Sequence, residues 1–135
     1  GMESGELIAI DKLGEGFTVN RGRFMSKFTW DMSQEERKKS EALQNQQLEY
    51  ALKQMKTDQW DMLILDEIMA AITTGMVRQE DVLALIEDNP DRLELVLTGR
   101  NAPGQLVDAA DYVSEIREVK HPFQRGIGAR LGIEN

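Results

Sequence analysis

The sequence predicts an α/β fold: a mainly parallel sheet flanked by helices. Three observations carry this expectation. A run of four apolar residues, Met62-Leu63-Ile64-Leu65, stops abruptly at two adjacent carboxylates, Asp66-Glu67. A continuous apolar run of strand length is what a strand buried on both faces looks like. A second run, Leu93-Glu94-Leu95-Val96-Leu97, leads into Thr98-Gly99-Arg100. Between and around these runs lie stretches with helical spacing, and strands that alternate with helices imply parallel pairing. The 135 residues are expected to form a single domain with a modest core.

Element by element, Leu7-Ile8-Ala9-Ile10 reads as a first short strand, punctuated by Asp11 and Gly14-Glu15-Gly16. The two glycines supply unusual backbone angles and allow close approach of a ligand, or simply make a turn. Phe17-Thr18-Val19-Asn20 extends the loop or forms a short extended piece, and residues 20–23 read as irregular chain. A long helix is predicted from residue 33 to 56. Ser33 followed by Glu36 has the capping-box pattern, Glu35 and Lys39 form a favourable i, i+4 pair, and an apolar stripe runs through Ala42, Leu43, Leu48, Ala51, Leu52 and Met55. This helix is expected to cover the edge of the sheet. Ile68-Met69-Ala70-Ala71-Ile72 is a short helix stopped at Gly75, and a further helix starts at Arg78 and closes at Asn89-Pro90. Pro103 opens a helix through Ala110. Tyr112-Val113-Ser114-Glu115-Ile116-Arg117 alternates and reads as a strand continuing to Lys120, before a loop-like end at His121-Pro122-Phe123.

Charge and composition narrow the functional classes. Twenty-four acidic residues against 16 basic ones give a net charge of −8, the wrong sign for a nucleic-acid surface. There is no cysteine, so disulfides and thiolate metal sites are excluded, and the single histidine, His121, excludes a multi-histidine metal cluster. No apolar run reaches membrane-spanning length, no signal-like segment precedes the first expected strand, and Gly1 before Met2 reads as a tag-removal scar. A cytoplasmic protein with no membrane partner is the expectation.

Asp66 and Glu67 sit where ligands collect in parallel sheets, outside the carboxyl end of a strand. Two readings are open. The pair is a Walker B segment, holding Mg2+ or its waters against nucleotide phosphates, or it is the acidic start of a helix, favoured by the helix dipole. Gly14-Glu15-Gly16 is not a P-loop, since no Gly-Lys-Ser/Thr follows it.

Taken in order, Asp11-Lys12-Leu13-Gly14-Glu15-Gly16-Phe17-Thr18, Leu65-Asp66-Glu67, Leu97-Thr98-Gly99-Arg100-Asn101-Ala102-Pro103 and Val119-Lys120-His121-Pro122-Phe123 with Gly126-Ile127 resemble the ATP:corrinoid adenosyltransferases. That family transfers the 5′-deoxyadenosyl group of ATP to the cobalt of cob(I)alamin or a precursor corrinoid. The resemblance implies a P-loop NTPase fold of the RecA-like kind, with ATP, Mg2+ and a corrinoid as ligands. Carried over by position, it implies that Asp66 and Glu67 are the Mg2+ residues and that Arg100 contacts nucleotide phosphate. It further implies that Phe17 and Thr18 face nucleotide or corrinoid. Phe17 as core and Arg100 as a strand-end cap are the alternatives. For His121 a structural hydrogen bond is expected rather than cobalt ligation, because a lone histidine forms no constellation.

Two positions depart from the family pattern. Val19 stands where the family usually has Trp, and no Walker A segment occurs anywhere in the sequence. The resemblance therefore implies a chain truncated with respect to the family, lacking the N-terminal phosphate cradle and the strands around it. A shortened sheet is expected to self-associate into a homo-oligomer; the missing half-site is expected to come from a partner chain, or the sequence is a fragment. The alternative is a non-catalytic paralogue that binds corrinoid or another protein.

Overall fold

The computed structural model describes residues 5–21 and 31–130. Its elements are α1 (Gly5–Asp11), α2 (Gln34–Met55), β1 (Met62–Leu65), α3 (Ile68–Thr73), α4 (Gln79–Glu87), β2 (Glu94–Leu97), α5 (Gly104–Ala109) and a 3-10 turn at Pro122–Arg125. The chain divides into two compact units, Arg21–Val113 and Gly1–Asn20 with Ser114–Asn135. Gly22 and Arg23, expected as irregular chain, lie outside the described residues.

In the larger unit β1 and β2 pair in parallel, with Met62 opposite Glu94 and Leu65 opposite Leu97. The ladder is continued at both ends: Glu94 N–H donates to the Asp61 carbonyl at 2.9 Å, and Thr98 N–H to the Leu65 carbonyl at 3.1 Å. Parallel neighbours need a crossover, and α3 and α4 supply it. Side chains alternate along each strand. Leu63, Leu65, Leu95 and Leu97 pack on a core that includes Leu48 and Met55 of α2, Ile68 and Met69 of α3, Val82 and Leu85 of α4, and Leu106 of α5. Met62 and Ile64, on the other face of β1, are 52% and 55% exposed. Burial on both faces, expected from the apolar run, therefore holds for one face. Covering the second takes another layer, which the described residues do not provide.

The long helix forms where its signals put it. Ser33 Oγ accepts from Glu36 N–H at 3.2 Å while Glu36 Oε2 accepts from Ser33 N–H at 2.8 Å, closing the capping box. Leu48, Ala51 and Met55, in the second half of the expected stripe, are buried, whereas Ala42 at its start is exposed. The exit from α2 is held by Arg92. Its Nη2 donates to the Met55 carbonyl at 3.0 Å and also to the Thr57 carbonyl, Nη1 donates to the Trp60 carbonyl at 3.3 Å, and Nε pairs with Asp58 at 2.9 Å. One guanidinium thus satisfies carbonyls that the helix end leaves without intrahelical partners.

Two expected strands are absent. Residues 7–10 belong to α1, because a run of four apolar residues carries no period that separates a strand from one turn of helix. Residues 112–120 form no regular element, and Tyr112 and Ile116 stand 94% and 97% exposed. Alternation makes a strand only where a neighbouring edge supplies hydrogen bonds. No helix among the described residues is long and apolar enough to cross a membrane.

Where β2 ends, Gly99 has φ of 136°, and a Cβ there would stand 2.7 Å from Met69 Cβ and 2.9 Å from Met69 Cγ. The missing side chain is what lets the end of β2 close on the first turn of α3. Gly99→Ala combines backbone strain with overpacking and is expected to cost about 2–4 kcal/mol, read as a lower urea midpoint. Arg92→Met is expected to cost about 2 kcal/mol by orphaning the carbonyls after α2. Asp58→Asn, which removes only an exposed ion pair, is expected to change stability by less than about 1 kcal/mol in the same titration.

Candidate functional site

Because β1 and β2 are parallel and in register, they end level, and the residues that follow them meet at one end of the sheet. Asp66 and Glu67 leave β1; Thr98, Gly99 and Arg100 leave β2. Asp66, Glu67 and Arg100 are exposed. The piece that ties the two exits together is Thr98. Its hydroxyl donates to Asp66 Oδ1 at 2.7 Å and accepts from Glu67 N–H at 2.9 Å. Its own N–H bonds to Leu65, and its carbonyl lies 3.5 Å from Met69 N.

The backbone is strained at this junction. Glu67 has φ of 54° and Asn101 φ of 57°, the two positive values at non-glycine positions among the described residues. Such conformations cost on the order of 1–3 kcal/mol and persist only where the surroundings impose them. Glu67 occupies the N-cap position of α3, yet its side chain makes no capping hydrogen bond. The Asp66 carboxylate is turned to Thr98 instead. Neither carboxylate, then, is occupied in closing the helix.

What such a pair can hold follows from its chemistry. Among the described residues no group of three or more His, Cys, Asp or Glu is arranged to hold a metal ion. An all-protein cage is therefore not formed here. Mg2+ does not require one: it is commonly held through one or two carboxylates, with substrate phosphates and water completing its octahedron. Asp66 keeps free acceptor capacity beyond its bond to Thr98, since an ionised carboxylate has about four lone-pair sites. The residues present fit that mode. Arg100 adds an exposed guanidinium at the same sheet end, of a shape that forks onto phosphate oxygens. On α4, hydrogen bonding and Coulomb attraction from Asp81 raise the Arg78 guanidinium above its ordinary value. Arginine is already charged at every physiological pH, so this creates no titration.

Phe17 and Thr18 belong to the other unit. There Gly14, with φ of 80°, accepts from Phe17 N–H at 3.2 Å in a turn. Phe17 is 57% exposed, which removes the core alternative for it. It lines an open cleft of about 420 Å³ with Leu7, Ile10, Asp11, Gly14, Glu15 and Val19. His121 Nδ1 accepts from Phe123 N–H at 3.2 Å and caps the 3-10 turn, the hydrogen-bonding role expected of it. Sequence marks Thr98 only as one residue of the run 97–103 and as a hydroxyl directly after an apolar strand, and its partners depend on a register that the sequence does not print.

The family profile described as ATP:corrinoid adenosyltransferase BtuR/CobO/CobP matches residues 1–135. A Sinorhizobium sp protein named corrinoid adenosyltransferase is 32% identical over 98% of this chain and 61% of its own length. An Escherichia coli K12 protein of the same name is 30% identical over 79% of this chain and 54% of its own length. One from Pseudomonas aeruginosa is 40% identical over 54% of this chain and 36% of its own. The chain thus spans roughly half to three fifths of the first two relatives, and with the whole of it matched by the profile, it belongs to the ATP:corrinoid adenosyltransferase family.

Proposed function

We propose that this chain supplies the carboxylate half of a corrinoid adenosyltransferase site, in a truncated P-loop fold of the RecA-like kind. The observation that carries the reading is the meeting of Asp66, Glu67 and Arg100 at the carboxyl end of two parallel strands, in a chain of this family. In the reaction, Co(I) of the reduced corrinoid attacks C5′ of ATP; the Co–C bond forms, the C5′–O bond breaks, and triphosphate leaves with the electron pair. The cobalt is itself the nucleophile, so the protein contributes orientation and charge stabilisation of the leaving group. Asp66 and Glu67 would hold Mg2+, which when bound offsets the charge of the triphosphate. Arg100 engages phosphate oxygens directly. Phe17 and Thr18 are the proposed contacts to corrinoid or nucleotide, Phe17 as an apolar wall against the macrocycle.

What this sequence does not contain is the Walker A segment, whose N–H groups, Lys and hydroxyl cradle the phosphates. Carboxylates cannot take that part, since they repel a triphosphate in the absence of a cation. A second copy of this chain cannot take it either, having the same sequence. Homo-oligomers would cover apolar surface without completing the site. The cradle therefore comes from a different polypeptide segment, and the uncovered face at Met62 and Ile64 is the proposed seat for the layer that accompanies it.

Adenosylation of chemically reduced cob(I)alamin with ATP and Mg2+, followed by absorbance, tests this. The chain alone is expected to give no turnover. Turnover is expected when a polypeptide carrying a family Walker A segment is added, and loss of at least about a hundredfold of it in Asp66→Asn. Efficient turnover by the chain alone, or no restoration by the added segment, overturns the reading. Ile64→Glu, at an exposed position, is expected to leave the melting temperature within a few degrees and to abolish complementation. Undiminished complementation by that variant would move the docking surface elsewhere.

A further inference from the structure

Thr98 makes two hydrogen bonds whose directions can be assigned without seeing a proton. Glu67 N–H can only donate, so Thr98 Oγ1 must accept it, at 2.9 Å. An ionised carboxylate can only accept, so the hydroxyl proton points to Asp66 Oδ1, at 2.7 Å. A single hydroxyl thus fixes the orientation of one carboxylate and the strained backbone of the next residue, where Glu67 has φ of 54°. Thr98 is itself fixed: its N–H is in the ladder to Leu65, and Gly99 allows the close contact with Met69. It is rigid on the strand side and polar on the site side. Outer partners of this kind set the orientation of metal-binding groups and commonly matter to affinity by one or two orders of magnitude.

We propose that Thr98 is the positioning residue of the site, holding the Asp66 carboxylate and the Glu67 turn ready for a divalent cation. Asp66 Oδ1 is committed to Thr98, and the carboxylate presents its remaining acceptor sites to the ion. The proposal rests on the reading of Asp66 as a cation residue, and the two can be separated by experiment. Mn2+ alone serves as the probe, with its binding followed by paramagnetic broadening of the Glu67, Thr98 and Gly99 amide signals in the full chain. Thr98→Val keeps the shape and removes the hydroxyl; Thr98→Ser keeps the hydroxyl. The Mn2+ midpoint is expected to rise about tenfold in Thr98→Val and to stay within about threefold of wild type in Thr98→Ser. Asp66→Asn is expected to remove the broadening at this junction. Thr98→Ala replaces the valine variant if that variant melts within the working range.

The outcomes part cleanly. If Asp66→Asn abolishes binding while Thr98→Val titrates like wild type, Asp66 remains the cation residue and the positioning role is overturned. If Asp66→Asn binds Mn2+ as wild type does, or the wild-type amides are not broadened, the cation reading fails and takes this proposal with it. Equal loss in the valine and serine variants also overturns it, since a hydroxyl in place should rescue.

Discussion

Everything placed at the candidate site depends on the register of two short parallel strands. With Leu65 opposite Leu97, the next residue on one strand reaches the next on the other, and Thr98 can bond to Leu65, Asp66 and Glu67 together. A slip of one residue would turn the leucines of one strand out of the core and point Thr98 away from Asp66. The hydrophobic core therefore does more than stabilise the unit: burying Leu63, Leu65, Leu95 and Leu97 on the same side is what specifies the register. Gly99 completes the arrangement by permitting an approach to Met69 that no other residue would allow.

The parts legible in the sequence are those governed by local rules. Ser33 and Glu36 announce a capping box because both partners lie within one turn. Runs 62–65 and 93–97 announce strands that begin or end within a residue of the observed β1 and β2. The errors fall where the decision is not local. Residues 7–10 could be either element by composition, and residues 112–120 have a strand pattern without a strand to pair with. At the site the same division holds. Asp66, Glu67 and Arg100 are recognisable as charges at strand ends, whereas Thr98 acquires its role only through a neighbour 32 positions earlier. Arg92, which holds the end of α2 through contacts 32 to 37 positions away, is not legible in the sequence for the same reason.

The exposed face of β1 follows from this division as well. The sequence of β1 is apolar on both sides, as suits a strand sandwiched between layers. The larger unit supplies one layer, through α2 to α5, and leaves Met62 and Ile64 half exposed. Exposed apolar groups on a strand of a sheet that has two strands among the described residues are costly to leave in water and invite pairing. The unfilled chemical requirement and the unfilled physical one coincide. The proposed site calls for a phosphate cradle that this sequence does not contain, and the sheet leaves one face that the described residues do not cover.

That coincidence bears on how the acidic charge of the chain should be understood. A net charge of −8 would by itself repel a triphosphate approaching Asp66 and Glu67. Arg100 is one exposed cation at this end of the sheet. On the proposed reading, whatever brings a triphosphate to these carboxylates brings positive charge with it, as a bound cation, a basic phosphate cradle, or both. The strained, Thr98-held turn at Glu67 is suited to such an arrangement because its geometry is set in advance, before any ligand arrives, by bonds wholly within this chain. Preorganisation on one side lets the opposing surface contribute charge without also having to order the carboxylates.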